Sequence, residues 1–148
     1  MTSSDSMMTL EELYEEFEDL VDWEDRCDFL IDLGFELPKL DDAAKTEANR
    51  VHGCQSNVWL IAELIQDDGS KLEIRADSDA MIVKGLIAVL LMIYNGKTPN
   101  EILETDVRTI FEKLGLNQHL SSQRKNGLAG MVERVRRIAI DHLEASGS

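Results

Sequence analysis

The sequence predicts an α+β fold, a small antiparallel sheet of about three strands packed against several helices. Three observations carry that expectation. Apolar residues recur at helical spacing early in the chain and again near its end. Between these regions the pattern around residues 51–76 changes to that of a hairpin, with one turn signal in the middle. A strongly apolar segment, Ala80 to Tyr94, follows at once and is the natural centre of the core.

The elements are expected in this order. Thr9 with Glu12 forms a capping-box pattern, and Leu10, Leu13, Tyr14, Phe17, Leu20 and Val21 then make a helical stripe. A second helix starts at Asp22, turns Trp23, Cys27, Leu30 and Leu33 inward, and stops near Gly34. Pro38 and the polar stretch through Asn49 make a long connection. Val51 to Gln66 is rich in β-branched and aromatic residues, and Asp67-Asp68-Gly69-Ser70 is a turn signal. Leu72, Ile74 and Ala76 then alternate with Lys71, Glu73 and Arg75, which completes a hairpin. A further short strand is expected around Arg50 to His52. Ser78 or Asp79 is placed to cap the apolar helix, which Asn95-Gly96 ends, and Pro99 opens a short helix at a position proline tolerates. Residues 106–114 and 122–144 read as two amphipathic helices. Residues 1–8 are expected to be a flexible tail, 9–144 a single domain and 145–148 a flexible end.

At 148 residues, 43% hydrophobic and 30% charged, the chain has the composition of an ordinary globular protein. A chain of this length buries roughly 70% of its unfolded surface without a disulfide or metal staple. The formal net charge of -14 argues against nucleic acid or an anionic membrane as partner; a basic patch on a protein would be attracted instead. Met1 to Met8 lacks the charged and apolar regions of a signal peptide, and the apolar segment of residues 80–94, broken by Lys84 and Gly85, is too short to span a bilayer. Two cysteines without a secretory context point to free thiols in a reducing cytoplasm, the expected location.

One of those cysteines stands in RVHGCQSNVWLI, residues 50–61. Gly53 before Cys54 permits a backbone turn and leaves room for another molecule to approach the sulfur. On the local pattern alone, a small buried hydrophobe is an equally good reading of Cys54. Cys27 falls on the apolar stripe of a helix, and a core role suits it better. His52 and Cys54 form one His-x-Cys pair, while Cys27, His119 and His142 are scattered, so no metal site is expected. A redox pair of Cys27 with Cys54 remains open, although it lacks the vicinal motif of labile pairs. A cysteine-dependent hydrolase or acyltransferase also remains open, with His52 or His119 as base.

The string Gly53-Cys54-Gln55-Ser56-Asn57-Val58-Trp59 resembles the Gly-Cys-Gln-Ser-x-Val-Trp signature of the SufE family, sulfur acceptors for cysteine desulfurases. DSDAMIVKGLIAVLL (Asp77 to Leu91) looks like that family's central helix. TPNEILETDV, FEKLGLNQHLSSQR and GLAGM match its C-terminal half in order and spacing. The likeness covers residues 10–143. It implies a fold similar to the IscU-type scaffolds. It also implies that Cys54 takes sulfane sulfur from the persulfide of a SufS- or CsdA-type desulfurase, stimulates that enzyme, and carries the sulfur to an iron–sulfur scaffold complex of SufB type. The pyridoxal phosphate would belong to the desulfurase, with no cofactor resident here, so the chain would be a sulfurtransferase-like activator rather than a stand-alone enzyme. A scaffold needs several cluster ligands, and one candidate exposed cysteine suits relay instead. A pure adaptor, stimulating the desulfurase without Cys54, is a third reading.

The relay has physical requirements. An ordinary thiol, with a pKa of about 8.5, is mostly protonated at neutral pH, and the acidic chain disfavours the thiolate further. Arg124, in the SSQR segment, is the candidate compensating cation; pairing with a surface carboxylate is nearly as good an account of it. Gln55 and Ser56 either donate hydrogen bonds to the sulfur or fix the turn. The resemblance places Asp77 and Asp79 near the cysteine loop and the desulfurase contact surface, with Asp79 read first as a helix cap. Gly53 is read as the hinge of a loop with two positions, one sheltering the sulfur and one presenting it.

Overall fold

The computed structural model describes residues 8–51, 57–65 and 68–146. Among these residues it is an α+β domain with a two-stranded antiparallel sheet and helices α1 to α7. Helix α1 (Leu10–Asp19) opens with the capping box: Thr9 Oγ1 accepts from the Glu12 amide, and Glu12 accepts from the Thr9 amide. Its buried face is Leu13 and Phe17. No basic residue stands in its last turn. Arg26 of α2 (Trp23–Phe35) serves instead, donating to the carbonyls of Leu20 at 2.7 Å and Phe17 at 2.8 Å. That guanidinium also lies 5.0 Å from the Phe17 ring centroid.

Helix α3 (Met81–Tyr94) is the core element, buried along most of its length because its side chains are apolar on nearly every face. α2 crosses it through two glycines. A Cβ on Gly85 would collide with the Leu30 carbonyl group, and one on Gly34 would lie 2.8 Å from Lys84 Cβ. The helices approach backbone to backbone, which any side chain at Gly85 would prevent.

The hairpin joins β1 (Val58–Ile65) to β2 (Asp68–Ser78), with Val58 opposite Ser78, Trp59 opposite Asp77 and an irregularity between Leu64 and Ile65. Val58, Leu60, Leu72, Ile74 and Ala76 face the core. Of the additional strand expected around Arg50 to His52, the described residues show an isolated bridge between Arg50 and Trp59, and His52 lies outside them. On the upstream side of the bridge, residues 42–44 and 47–49 coil into tight turns, so the pairing does not run back before Arg50. The outer edge of β2 is occupied by the chain leaving α3. Leu72 donates to the Lys97 carbonyl and accepts from the Gly96 amide, and Ile74 donates to Asn95 Oδ1.

Helices α4 (Pro99–Glu104), α5 (Val107–Lys113), α6 (Leu116–His119) and α7 (Ser122–Ser146) complete the fold, and α7 packs mainly on α4. α4 opens with a second capping box, Thr98 with Glu101. The Thr98 backbone and side chain hold the Glu101 carboxyl below its ordinary pKa. A depressed folded-state pKa gives stability that is present above the unfolded value and lost as pH falls through the folded one. Thr98→Ala is expected to cost about 1 kcal/mol through the lost cap. It should also move the Glu101 carboxyl up toward its ordinary value in an NMR titration, and an unmoved carboxyl would contradict the capping account.

Candidate functional site

The cysteine segment is reached from two firmly placed ends. On the entering side, Val51 is 3% exposed and its amide donates to the Val58 carbonyl at 2.8 Å. On the leaving side, Asn57 binds Asp79 through two donors: its amide at 3.2 Å from Oδ1 and its Nδ2 at 2.9 Å from Oδ2. The Asp79 amide returns a bond to the Asn57 carbonyl. His52, Gly53, Cys54, Gln55 and Ser56 themselves lie outside the described residues, and their roles stay expectations.

Asp79 is therefore not the cap of α3. That position belongs to Ala80, and the Asp79 carboxylate is taken by Asn57 from across the hairpin. Ser78 stands nearer to its expected role, its Oγ accepting from the Ala80 amide at 3.2 Å. Asp79→Ala is expected to speed hydrogen exchange at the Asn57 amide about tenfold, since a bond to a charged acceptor contributes about 1.5 kcal/mol. Unaltered exchange would mean that the clamp holds nothing.

Asp77 and Asp79 have different surroundings. Asp79 is exposed, whereas Asp77 is 7% exposed and faces two cations, Lys45 at 3.3 Å and Lys84 at 3.7 Å. Its Oδ1 also accepts from the Ser78 amide at 2.8 Å. The hydrogen bond to Asp77 raises the Lys45 pKa, and the Lys45 ammonium lies 5.6 Å from the Trp59 ring centroid. Asp77 thus ties the connection before the cysteine segment to β2 and to the first turn of α3. It faces inward, and Asp79 is the carboxylate left on the surface. Lys45, Lys84 and Asn57 were not among the sequence candidates. Lys84 stands out in the sequence as a charge within an apolar run; the other two carry no local signal.

Arg124 lies in the first turn of α7, where its amide donates to Ser121 Oγ. Among the described residues, its charge acts on the Cys27 thiol. Cys27 is half-buried rather than part of the closed core. Burial pushes its pKa up, Arg124 offsets part of the rise, and Asp28 adds to it. A thiol so placed stays protonated at neutral pH and is a weak nucleophile. His119, one of the candidate bases, stacks on Trp23 with centroids 4.8 Å apart and planes 9° apart. Among the described residues, no three His, Cys, Asp or Glu side chains converge as a metal site, and no helix is long and apolar enough to cross a membrane.

The family model described as the Fe-S metabolism associated domain, SufE, matches residues 11–139. The chain is 41% identical over 140 residues to a SufE-like protein of Rhizobium meliloti (strain 1021), covering 94% of this chain and 100% of the relative. It is 44% identical over 131 residues to a SufE-like protein of Rhizobium etli, covering 88% of each. In fold it is similar to the solution structure of a hypothetical protein from Thermus thermophilus, with a TM-score of 0.71 at 22% identity over 93% of this chain and 99% of that one. With the family model spanning most of the domain and relatives this similar along nearly their whole length, the chain belongs to the SufE family, whose domain is associated with iron–sulfur metabolism.

Proposed function

We propose that this protein accepts sulfur on Cys54 from a cysteine desulfurase and passes it on for iron–sulfur cluster assembly. The observation that carries the reading is Cys54 itself, set in the string Gly53 to Trp59 within the family match. The anchored ends of its segment, at Val51 and Asn57, support it, as does the protonated, half-buried state of Cys27.

In the transfer, the Cys54 thiolate attacks the outer sulfur of the donor's persulfide. A new S–S bond forms on Cys54, the old one breaks, and its electron pair leaves with the donor cysteine as thiolate. The proton on the outer sulfur travels with it. The formal oxidation level is unchanged overall, so no external oxidant or reductant is required. The donor enzyme holds the pyridoxal phosphate and extracts sulfur from free cysteine. This chain supplies an acceptor thiol and a surface on which the donor seats, and its acceptance of sulfur frees the donor for another turnover.

The test is mass spectrometry of the protein after incubation with cysteine and a SufS-type desulfurase. A gain of about 32 Da, one sulfur atom, on the peptide containing Cys54 is expected from a persulfide. No gain on Cys54 while the desulfurase turns over would overturn the proposal, and turnover of a small ester or amide without desulfurase would favour a cysteine hydrolase.

A further inference from the structure

Two large apolar side chains stand on the surface at one end of the α2–α3 pair. Phe35 is 66% exposed and Met81 53% exposed. Phe35 follows Gly34, which packs against Lys84, and Met81 begins α3 one turn before Lys84. This is also the end at which the cysteine segment is anchored, because Asp79, two residues before Met81, holds Asn57. Covalent reach alone keeps Cys54, three residues from Asn57, within about 10 Å of it. A protein that reaches Cys54 therefore comes near Asn57 and the Asp79 that holds it, two residues from Met81.

The charge around the pair is of one sign. Asp25, Asp28, Asp32 and Phe35 fall at spacings that place them on one face of α2. Asp28 and Asp32 on this helix, Glu36 at its C-cap, and Asp79 beside Met81 are all exposed. Among the described residues, none of Asp25, Asp28, Asp32 or Glu36 has a cation within ion-pair distance. Asp25 suits the first turn of α2. Asp32 and Glu36 stand at its C-terminal end, where the helix dipole disfavours negative charge, so these two do not serve the helix itself. They suit a partner of opposite charge.

We infer that Phe35 and Met81, with the acidic flank of Asp32, Glu36 and Asp79, are the seat of the sulfur-donating enzyme, which presents an apolar socket bordered by lysine and arginine. The inference rests on the relay reading and names the residues through which that partner is held. The two apolar side chains are the anchors, and the carboxylates steer and orient the approach.

The experiment titrates the full chain into a desulfurase assay. Phe35→Ser with Met81→Ser is expected to raise the concentration for half-maximal stimulation about tenfold while keeping the plateau, as loss of interface anchors does. Asp32→Lys with Glu36→Lys should also raise it and should remove most of its salt dependence, which surface charge pairs confer. All four positions are exposed, and circular dichroism checks the fold. At saturation, Cys54 of each variant should still gain sulfur. Unchanged half-saturation in variants whose wild-type parent is labelled overturns this inference alone. A wild-type chain that takes no sulfur on Cys54 overturns the relay and this inference with it. A change in sedimentation without one in half-saturation would assign the patch to self-association and also overturn it.

Discussion

Gly85→Ala should lower stability by at least about 1–3 kcal/mol, the cost of forcing extra volume into a packed interior. The new methyl would run into the Leu30 carbonyl oxygen and sit 2.6 Å from its carbon. Both are backbone atoms, so no rotamer change relieves the clash and α2 must move off α3. Urea denaturation is the measurement, with Gly96→Ala as the comparison. Gly96 has φ +77° and nothing within 4 Å of a built Cβ, so its substitution should cost only about 1 kcal/mol, for conformation alone. Equal losses at the two sites would show that close helix approach is not what Gly85 provides.

Cys54→Ser should abolish sulfur acceptance altogether, because an alkoxide does not form near neutral pH and serine cannot become a persulfide. Its unfolding midpoint should be unaltered. Cys27→Ser should give the reverse: sulfur acceptance kept, and stability lowered by about 1 kcal/mol for a half-buried hydroxyl set where a thiol packed. The contrast follows from environment. Cys27 has its thiolate disfavoured by burial and by Asp28, with Arg124 recovering part of the difference. The paired measurements are intact mass after incubation with donor and thermal unfolding of each variant. Labelling that survives at Cys27 in the Cys54→Ser chain would reverse their roles.

Helices α1 and α3 were legible because their signals are local: a capping box at Thr9 and an apolar run too continuous to be a surface. The hairpin was legible from alternation around a turn. Its third strand is present among the described residues only as the bridge between Arg50 and Trp59, since a β-rich pattern near Val51 says nothing about the tight turns that precede it. Asp79 shows the complementary failure. Its position before an apolar helix favours a cap, yet Asn57, distant in sequence, offers two donors and takes the carboxylate. Asp77, Lys45 and Lys84 were invisible as a group for the same reason, because their union exists only once the connection, the hairpin and α3 have come together. Arg124 was singled out by its segment as a cation for Cys54, which lies outside the described residues; among those described, its charge acts on Cys27.

The dipeptide Asn95-Gly96 has a consequence for how this architecture can vary in length. It terminates α3 and, within the same few residues, supplies β2 with its outer partners. A single inserted residue there would throw helix end and strand border out of step, so that junction is a fixed gauge.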